Sequence, residues 1–236
     1  MFNRNDNFIS TVSCFERCEI ILVMGQISIG QFTDKLYEFY GICHPDTISG
    51  MVFKRRAEFL AGRIVAKIAL EHFGILDWQL SVGHDRAPIW PSGLSGSISH
   101  SNGRCCCLAL AAGVPEAVCG VDIEKVPDDQ TVEAILSRCL TRFEQEWIRD
   151  QTDFDTKSLI ILIFSAKETI FKAYSSVVGE MFGFDCVEVK KRGSGTTLIF
   201  ASTKTLGSTL PNGFEFEISY NLFSDFVITH HVAMRP

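Results

Sequence analysis

Two lysines accompany one glutamate within the stretch Phe164–Ala173. In a helix, Glu168 and Lys172 stand four residues apart on one face, so a carboxylate and an ammonium project together. Lys167 lies about 100° around the same turn and reaches the rim of the same surface. This grouping predicts a site for a ligand that is both anionic and metal-bound. The alternative is an amphipathic helix with a surface ion pair worth roughly 0.3–0.5 kcal/mol.

A second acidic pair lies in the segment Ala117–Val126, which reads as a strand. Asp122 and Glu124 are two residues apart, so both carboxylates point to one face of a strand. Val121 and Ile123 are then expected to face the core. Like charges at this distance raise each other's pKa unless a cation lies between them, and Mg²⁺ is a hard ion that one or two carboxylates hold. The alternative is a solvent-facing strand edge.

A basic helix is predicted over Val52–Phe73, with Gly74 following its last turn. Its basic side chains favour a surface that binds anions, because one guanidinium group can donate two parallel hydrogen bonds to phosphate oxygens. The alternative is a solvated basic face. These side chains include Arg55, Arg56, Arg63 and Lys67.

Hydroxyl and imidazole groups follow in the Gly/Ser-rich segment 95–102, which leads into a predicted strand over Cys105–Ala111. Ser99 and His100 are the candidate donors there, and Gly96 would let a ligand approach the backbone. The preceding loop, residues 83–93, is held rigid by its prolines and glycines. A histidine in such a setting is a better ligand candidate than one on an apolar face.

Composition indicates an ordinary globular protein, with 46% hydrophobic and 21% charged residues among 236. The net charge of -6 argues against a general nucleic-acid binder, so any anionic ligand must be held by local basic groups. Nine cysteines, three of them consecutive at Cys105–Cys107, suit neither a disulfide framework nor a zinc site and predict core residues in a reducing compartment. No signal-peptide pattern or bilayer-length apolar run is visible, so we expect a cytoplasmic protein without a transmembrane segment.

The remaining elements show the same order in both halves of the chain: a strand, long helices, then further strands. Residues 1–19 carry little pattern. A capping box at Thr141 and Glu144 opens a helix that ends near Asp150, and a longer helix follows over residues 159–178. The other predicted strands are Glu19–Ile29, Trp78–Val82, Cys186–Lys190, Thr196–Ala201, Phe214–Tyr220 and Phe226–Ala233.

Four segments together resemble the 4′-phosphopantetheinyl transferases, specifically the type similar to enterobactin synthase component D of siderophore pathways. They are Lys54–Arg63, Pro88–Pro91 with Gly96–Ser101, Gly120–Glu124 and Phe164–Ala173. The resemblance covers about residues 51–175. It implies an α+β protein built from a pseudo-two-fold pair of similar α/β halves, residues 1–118 and 119–236, with the active site in the cleft between them.

The resemblance also implies roles for individual residues. The Mg²⁺-binding acids would be Asp122, Glu124 and Glu168. Coenzyme A would be held through its phosphates and nucleotide by the side chains Arg55, Arg63, His84, Arg86, Ser99, His100, Lys167 and Lys172. Of these, His84 stands where some relatives have a lysine, which leaves its role open.

The implied reaction transfers phosphopantetheine from coenzyme A to a serine of an apo peptidyl, aryl or acyl carrier domain and releases adenosine 3′,5′-bisphosphate. Lys172 would stabilise the leaving phosphate, and Glu168 would accept the serine proton directly or through water, with Glu144 as a second candidate. A monomer would suffice. The alternatives are a non-catalytic coenzyme A or nucleotide-binding module and a different Mg²⁺-dependent enzyme such as a nucleotidyl transferase, although the sequence contains no Walker-type phosphate loop.

Overall fold

The computed structural model describes residues 7–17, 19–45, 48–83, 87–111 and 117–236. The chain folds as two compact units, Met1–Pro115 and Glu116–Pro236. Each unit contains one antiparallel sheet and one long helix that packs on it. The predicted α+β class is confirmed, whereas a site shared by the two halves stays a prediction.

The first unit is a four-stranded sheet in the order β1-β2-β4-β3, with α2 packed against β2 and β4. Its core is an apolar layer between helix and sheet, to which β4 contributes Cys105 and Cys107. The three consecutive cysteines are all buried, as predicted, and none of them forms a disulfide bond. The elements are β1 (Ile9–Arg17), β2 (Ile20–Ile27), α1 (Lys35–Tyr40), α2 (Phe53–His72), β3 (Leu94–Ser101) and β4 (Arg104–Ala111).

The second unit is a five-stranded sheet in the order β5-β9-β8-β7-β6, and α5 packs along β5 and β9. All neighbouring strands are antiparallel. The elements are β5 (Ala117–Lys125), α3 (Asp129–Arg138), α4 (Arg142–Arg149), α5 (Thr156–Val178), β6 (Val187–Arg192), β7 (Thr197–Ser202), β8 (Glu215–Leu222) and β9 (Phe226–Met234).

Local capping explains where the helices of the second unit begin. The predicted capping box is confirmed: the Thr141 hydroxyl accepts a hydrogen bond from the Glu144 backbone N–H, and the Glu144 carboxylate accepts one from the Thr141 backbone N–H. Helix α5 begins three residues before its predicted start at 159, because Asp155 accepts hydrogen bonds from both the backbone and the hydroxyl of Ser158.

Three predictions about secondary structure were wrong. Residues 9–17, expected to lack pattern, form β1, an edge strand that is held by its pairing with β2 rather than by a strong sequence signal. Helix α3 lies in the stretch after Val126, where the sequence predicted no helix; Asp128 caps it by accepting a hydrogen bond from the Thr131 backbone N–H. The segment 78–82 forms only an isolated bridge between Val82 and Pro88.

At Gly120, the backbone of α5 lies close against β5. A Cβ atom at Gly120 would collide with the carbonyl oxygen of Thr169 on α5. The helix therefore covers the strand face that carries Gly120 and Asp122. Asp122 is almost fully buried there, which contradicts the alternative of a solvent-facing edge at this residue, and Val121 and Ile123 on the other face of β5 are buried as well. Across the described residues, no helix combines the length and apolar character that crossing a bilayer requires.

Replacing Gly120 with Ala should push α5 away from β5 and lower the free energy of unfolding by about 1–3 kcal/mol. Urea unfolding of the two proteins measures the difference. Gly30→Ala is a suitable control, because no atom lies within 4 Å of a Cβ placed there, and its change should stay within about 0.5 kcal/mol. Equal stability of the Gly120 variant and the wild type would contradict the contact.

Candidate active site

A buried carboxylate joins β5 to α5. The Asp122 side chain is only 2% exposed; its Oδ1 pairs with Lys172 Nζ at 2.5 Å, and its Oδ2 accepts a hydrogen bond from the Ser165 hydroxyl at 2.7 Å. Ser165 also exchanges a hydrogen bond with Thr229 of β9. A buried carboxylate needs such partners, because an unpaired buried charge is strongly unfavourable. The structure thus brings together Asp122 and Lys172, which the family resemblance assigned to one site.

Glu168 lies one turn before Lys172 on α5 and is partly buried. Burial raises the pKa of its carboxyl above the usual value of 4.5; the charge of Asp122 raises the pKa further, and Lys172 opposes both. The pKa shift therefore reports a carboxylate whose negative charge is incompletely balanced in the ligand-free protein.

Three acidic side chains are the candidate ligands of a divalent metal ion: Asp122, Glu124 and Glu168. Within the described residues, no group of three His, Cys, Asp or Glu side chains converges closely enough to form a preassembled metal site. The chemistry of the donor set nevertheless fits Mg²⁺, since all three candidates are carboxylates and the charge of Asp122 contributes to the raised pKa of Glu168. The third candidate, Glu124, lies two residues beyond Asp122 on β5 and is partly exposed. A metal role for these acids stays a prediction.

Lys167 points elsewhere in the second unit. Its ammonium pairs with the Glu144 carboxylate at 2.6 Å, and both side chains are fully buried. It also donates to the carbonyl oxygens of Cys139 and Phe184 at 3.1 and 2.7 Å. The structure therefore separates Lys167 from the group formed by Asp122 and Lys172. Because Glu144 is enclosed and already paired, it is also a poor candidate for a base acting on an external hydroxyl.

A cavity of about 1040 Å³ lies in the first unit, between α2 and the segments around residues 41–52 and 78–83. Its size matches sites for cofactor-sized ligands. Three cationic side chains, two histidines and one acidic side chain line it, together with apolar and aromatic groups. The charged lining residues are Arg55, Glu58, Arg63 and Lys67, with His100 on β3 and His44 also present.

Arg55, His100 and Glu58 form a connected group at this cavity. Arg55 Nη1 donates to His100 Nε2 at 2.6 Å, which requires that Nε2 carry no proton, since a guanidinium only donates. The proton of the neutral ring is then on Nδ1, which faces Glu58 Oε2 at 3.6 Å. The carboxylate of Glu58 therefore lies on the side of the ring that carries the proton, opposite the nitrogen that accepts from Arg55.

Arg63 is the most enclosed cation of the cavity, with 8% of its surface exposed. Its guanidinium stacks 4.4 Å above the Phe59 ring, and its Nε has no hydrogen-bond partner. Burial lowers the pKa of Arg63 to about 10, so the group stays charged at neutral pH. An enclosed cation with an unused donor is the chemistry expected of a site that awaits an anion.

The other side chains predicted to bind the anionic ligand differ in where the structure places them. Ser99 is buried and adjacent to His100 on β3, so their side chains point to opposite faces, and only His100 is among the described residues that line the cavity. His84 and Arg86 lie outside the described residues. Arg56, one of the predicted basic side chains of α2, pairs with Asp34 at 2.6 Å, and Lys67 donates to the carbonyl oxygen of Tyr40.

Both units match family models. Residues 44–110 match the 4′-phosphopantetheinyl transferase N-terminal domain, and residues 118–230 match the 4′-phosphopantetheinyl transferase superfamily. The chain is 30% identical over 197 residues to 4′-phosphopantetheinyl transferase Svp of Streptomyces mobaraensis, which covers 78% of this chain and 76% of that protein. This chain belongs to the 4′-phosphopantetheinyl transferase superfamily. The resemblance inferred from the motifs is confirmed.

Other members of the superfamily are similar over shorter stretches. Enterobactin synthase component D of Salmonella typhi is 37% identical over 146 residues, which is 62% of this chain and 59% of that protein. 4′-Phosphopantetheinyl transferase Npt of Nocardia iowensis is 32% identical over 138 residues, or 58% of this chain and 60% of that protein. The chain thus spans about three fifths of the length of the component D relative.

Two residues of this transferase-family site were not singled out from the sequence. Ser165 supports Asp122, and its position seven residues before Lys172 on the same helical stripe was the available signal. Glu58 faces His100, and its position three residues after Arg55 on α2 pointed to a shared face. Both residues contact a candidate site residue on a different element. Sequence patterns can reveal such a contact only when it is already known which helix packs on which strand.

Glu168→Gln should stabilise the metal-free protein at neutral pH, because it removes a partly buried and poorly balanced charge. A folded-state pKa above the unfolded value means that the wild type gains stability as pH falls through the folded pKa toward 4.5, and the variant lacks this gain. Thermal unfolding should show a Tm a few degrees higher for the variant at pH 7.5, with the difference shrinking near pH 5.

The control for this prediction is Glu146→Gln, which neutralises a glutamate whose side chain is 55% exposed on α4. Its Tm should match the wild type at both pH values. A Glu168→Gln protein that is less stable than the wild type at pH 7.5 would show that the carboxylate is well balanced without a metal.

Proposed function

We propose that this protein transfers the 4′-phosphopantetheine group of coenzyme A to a serine of an apo carrier domain and releases adenosine 3′,5′-bisphosphate. The observation that carries the proposal is the buried Asp122 carboxylate held by Lys172 of α5, with Glu168 one turn away, in a chain of this superfamily. Transfer to phosphorus depends mainly on positioning and on neutralising charge. The second unit supplies groups of both signs on one helix face.

The first unit would hold the anionic coenzyme A molecule through its cavity. Arg63 offers an unused donor, and Arg55 presents a guanidinium whose orientation is fixed by His100. The aromatic and apolar lining, including Phe59 and Trp78, would bury the uncharged parts of the ligand. The loop at His84 and Arg86 is proposed to contribute further contacts on the basis of the family resemblance alone.

The second unit would provide the acids and the proton acceptor. Asp122, Glu124 and Glu168 would hold Mg²⁺, which when bound neutralises pyrophosphate charge as a Lewis acid. Lys172 would stabilise negative charge on the leaving phosphate. Glu168 would accept the proton of the carrier serine, because burial raises the pKa of its carboxyl toward the working pH, which improves a general base.

The class of carrier domain is proposed from the reaction and from the names of the related proteins. The names of the component D relatives connect them with enterobactin synthase, so siderophore or other nonribosomal peptide carriers are the first candidates, followed by acyl carriers. We further propose that the protein acts as a monomer in the cytoplasm. A nucleotidyl transferase is less well supported, since the four motifs match a phosphopantetheinyl transferase throughout.

Transfer should be observed when the protein is incubated with coenzyme A, Mg²⁺ and a panel of apo carrier domains, with intact mass as the readout. Asp122→Asn and Glu168→Gln should each lower the labelling rate by about a hundredfold or more, because each removes charge at the reacting groups. Glu146→Gln, on the exposed face of α4, should label at the wild-type rate. A folded wild type that binds coenzyme A but labels no carrier would favour the non-catalytic binding module.

Arg63→Met should weaken coenzyme A binding by roughly ten- to a hundredfold, since a charge-assisted hydrogen bond contributes about 1.5–3 kcal/mol. Met keeps the apolar stem and removes the charge. Isothermal titration calorimetry with coenzyme A and with adenosine 3′,5′-bisphosphate measures the effect. Arg142→Met is the control, because its side chain is 93% exposed on α4. Unchanged affinity of the Arg63 variant would place the ligand outside this cavity.

A further inference from the structure

A buried ion pair fixes helix α5 within the second unit. Lys167 and Glu144 have side chains that are fully enclosed, and their charged atoms lie 2.6 Å apart. The remaining polar capacity is also used: Glu144 accepts from the backbone N–H groups of Thr141 and Val189, and Lys167 donates to two carbonyl oxygens. Such complete satisfaction is what a buried ion pair needs in order to persist.

The pair connects α5 to four other parts of the unit. Glu144 belongs to the first turn of α4 and reaches β6 through Val189. Lys167 reaches the end of α3 at Cys139 and the turn before β6 at Phe184. Because one ammonium on α5 is held from several directions, the helix has little freedom to rotate about its axis.

Rotation of α5 is the motion to which the proposed active site is most sensitive. Glu168 follows Lys167 directly, and Lys172 comes five residues later, so the direction of Lys167 sets the direction of both. A rotation of about 20° displaces side-chain atoms near the helix surface by roughly 2 Å. A displacement of about 1 Å at a reacting group lowers rates by as much as a hundredfold.

We infer that Lys167 and Glu144 are positioning residues, which orient α5 so that Glu168 and Lys172 face Asp122. This inference rests on the transferase function proposed above. It replaces two earlier predictions. One was that Lys167 contacts phosphate directly, as the resemblance implied, and the other was that Glu144 accepts the serine proton. Neither residue touches substrate in this assignment.

The test is a double-mutant cycle with Glu144→Gln, Lys167→Met and the double variant. Each single change leaves one buried charge unpaired and should lower Tm by about 10 °C, whereas the double variant leaves none and should recover most of the loss. Gln at position 144 keeps the capping box. Lys157→Met with Asp129→Asn is the matched control, an exposed ion pair that also involves α5, and it should show no coupling.

Kinetics distinguish positioning from substrate contact. At a temperature where every variant is folded, each single variant should lose ten- to a hundredfold in kcat for carrier labelling, with the Kd for coenzyme A within about twofold of wild type. The double variant should recover kcat. Hydrogen exchange of peptides from α5 should rise in the single variants and return toward wild type in the double variant.

Two results would overturn the assignment. A tenfold or greater loss of coenzyme A affinity in both Lys167→Met proteins, but not in Glu144→Gln, would show that Lys167 binds phosphate. Wild-type kcat in folded single variants would show that the pair stabilises without positioning. If the wild type itself labels no carrier, the proposed function fails separately, and hydrogen exchange still decides whether the pair holds α5.

Discussion

The close approach of α5 to β5 at Gly120 is the constraint on which the candidate active site depends. Without a side chain at this position, the backbone of α5 lies against the strand, and Asp122 then meets Ser165 and Lys172. A larger residue would separate the helix from the carboxylate. The same contact buries Asp122, which makes its charge dependent on a small number of fixed partners. The close packing of α5 on β5 therefore determines the electrostatic environment of Asp122.

In each unit, burial shifts the pKa of one candidate ligand-binding side chain. In the second unit, burial raises the pKa of Glu168; the Lys172 ammonium opposes this shift and Asp122 adds to it. In the first unit, burial lowers the pKa of Arg63, whose Nε has no partner. In both cases burial disfavours the charged form and costs stability in the ligand-free protein, and a bound ligand of the complementary charge would offset that cost. Such local instability is expected at sites that bind rather than at purely structural positions.

The sequence predicted elements with strong periodicity or clear caps and failed where pairing with a distant segment decides structure. Helix α2 was located within one residue at each end, and Asp122 and Lys172, which the family resemblance assigned to one site, lie in contact. Strand β1 is stabilised by its neighbour β2, which no local pattern reveals. Ser99 was grouped with His100 as a donor in the same segment and, through the family resemblance, as a phosphate contact, yet strand geometry sends their side chains to opposite faces.

The contrast between Lys167 and Lys172 shows why residue type and motif position do not fix a role. Both are lysines of one helix, but Lys172 is 26% exposed beside Asp122, whereas Lys167 is enclosed with Glu144. Enclosure makes a charged group dependent on its particular partner, since water cannot replace it. Exposure leaves an ammonium able to exchange one anion for another. The net charge of -6 does not oppose anion binding at such groups, because solvent-exposed charges beyond about 10 Å are largely screened and neighbouring charges dominate.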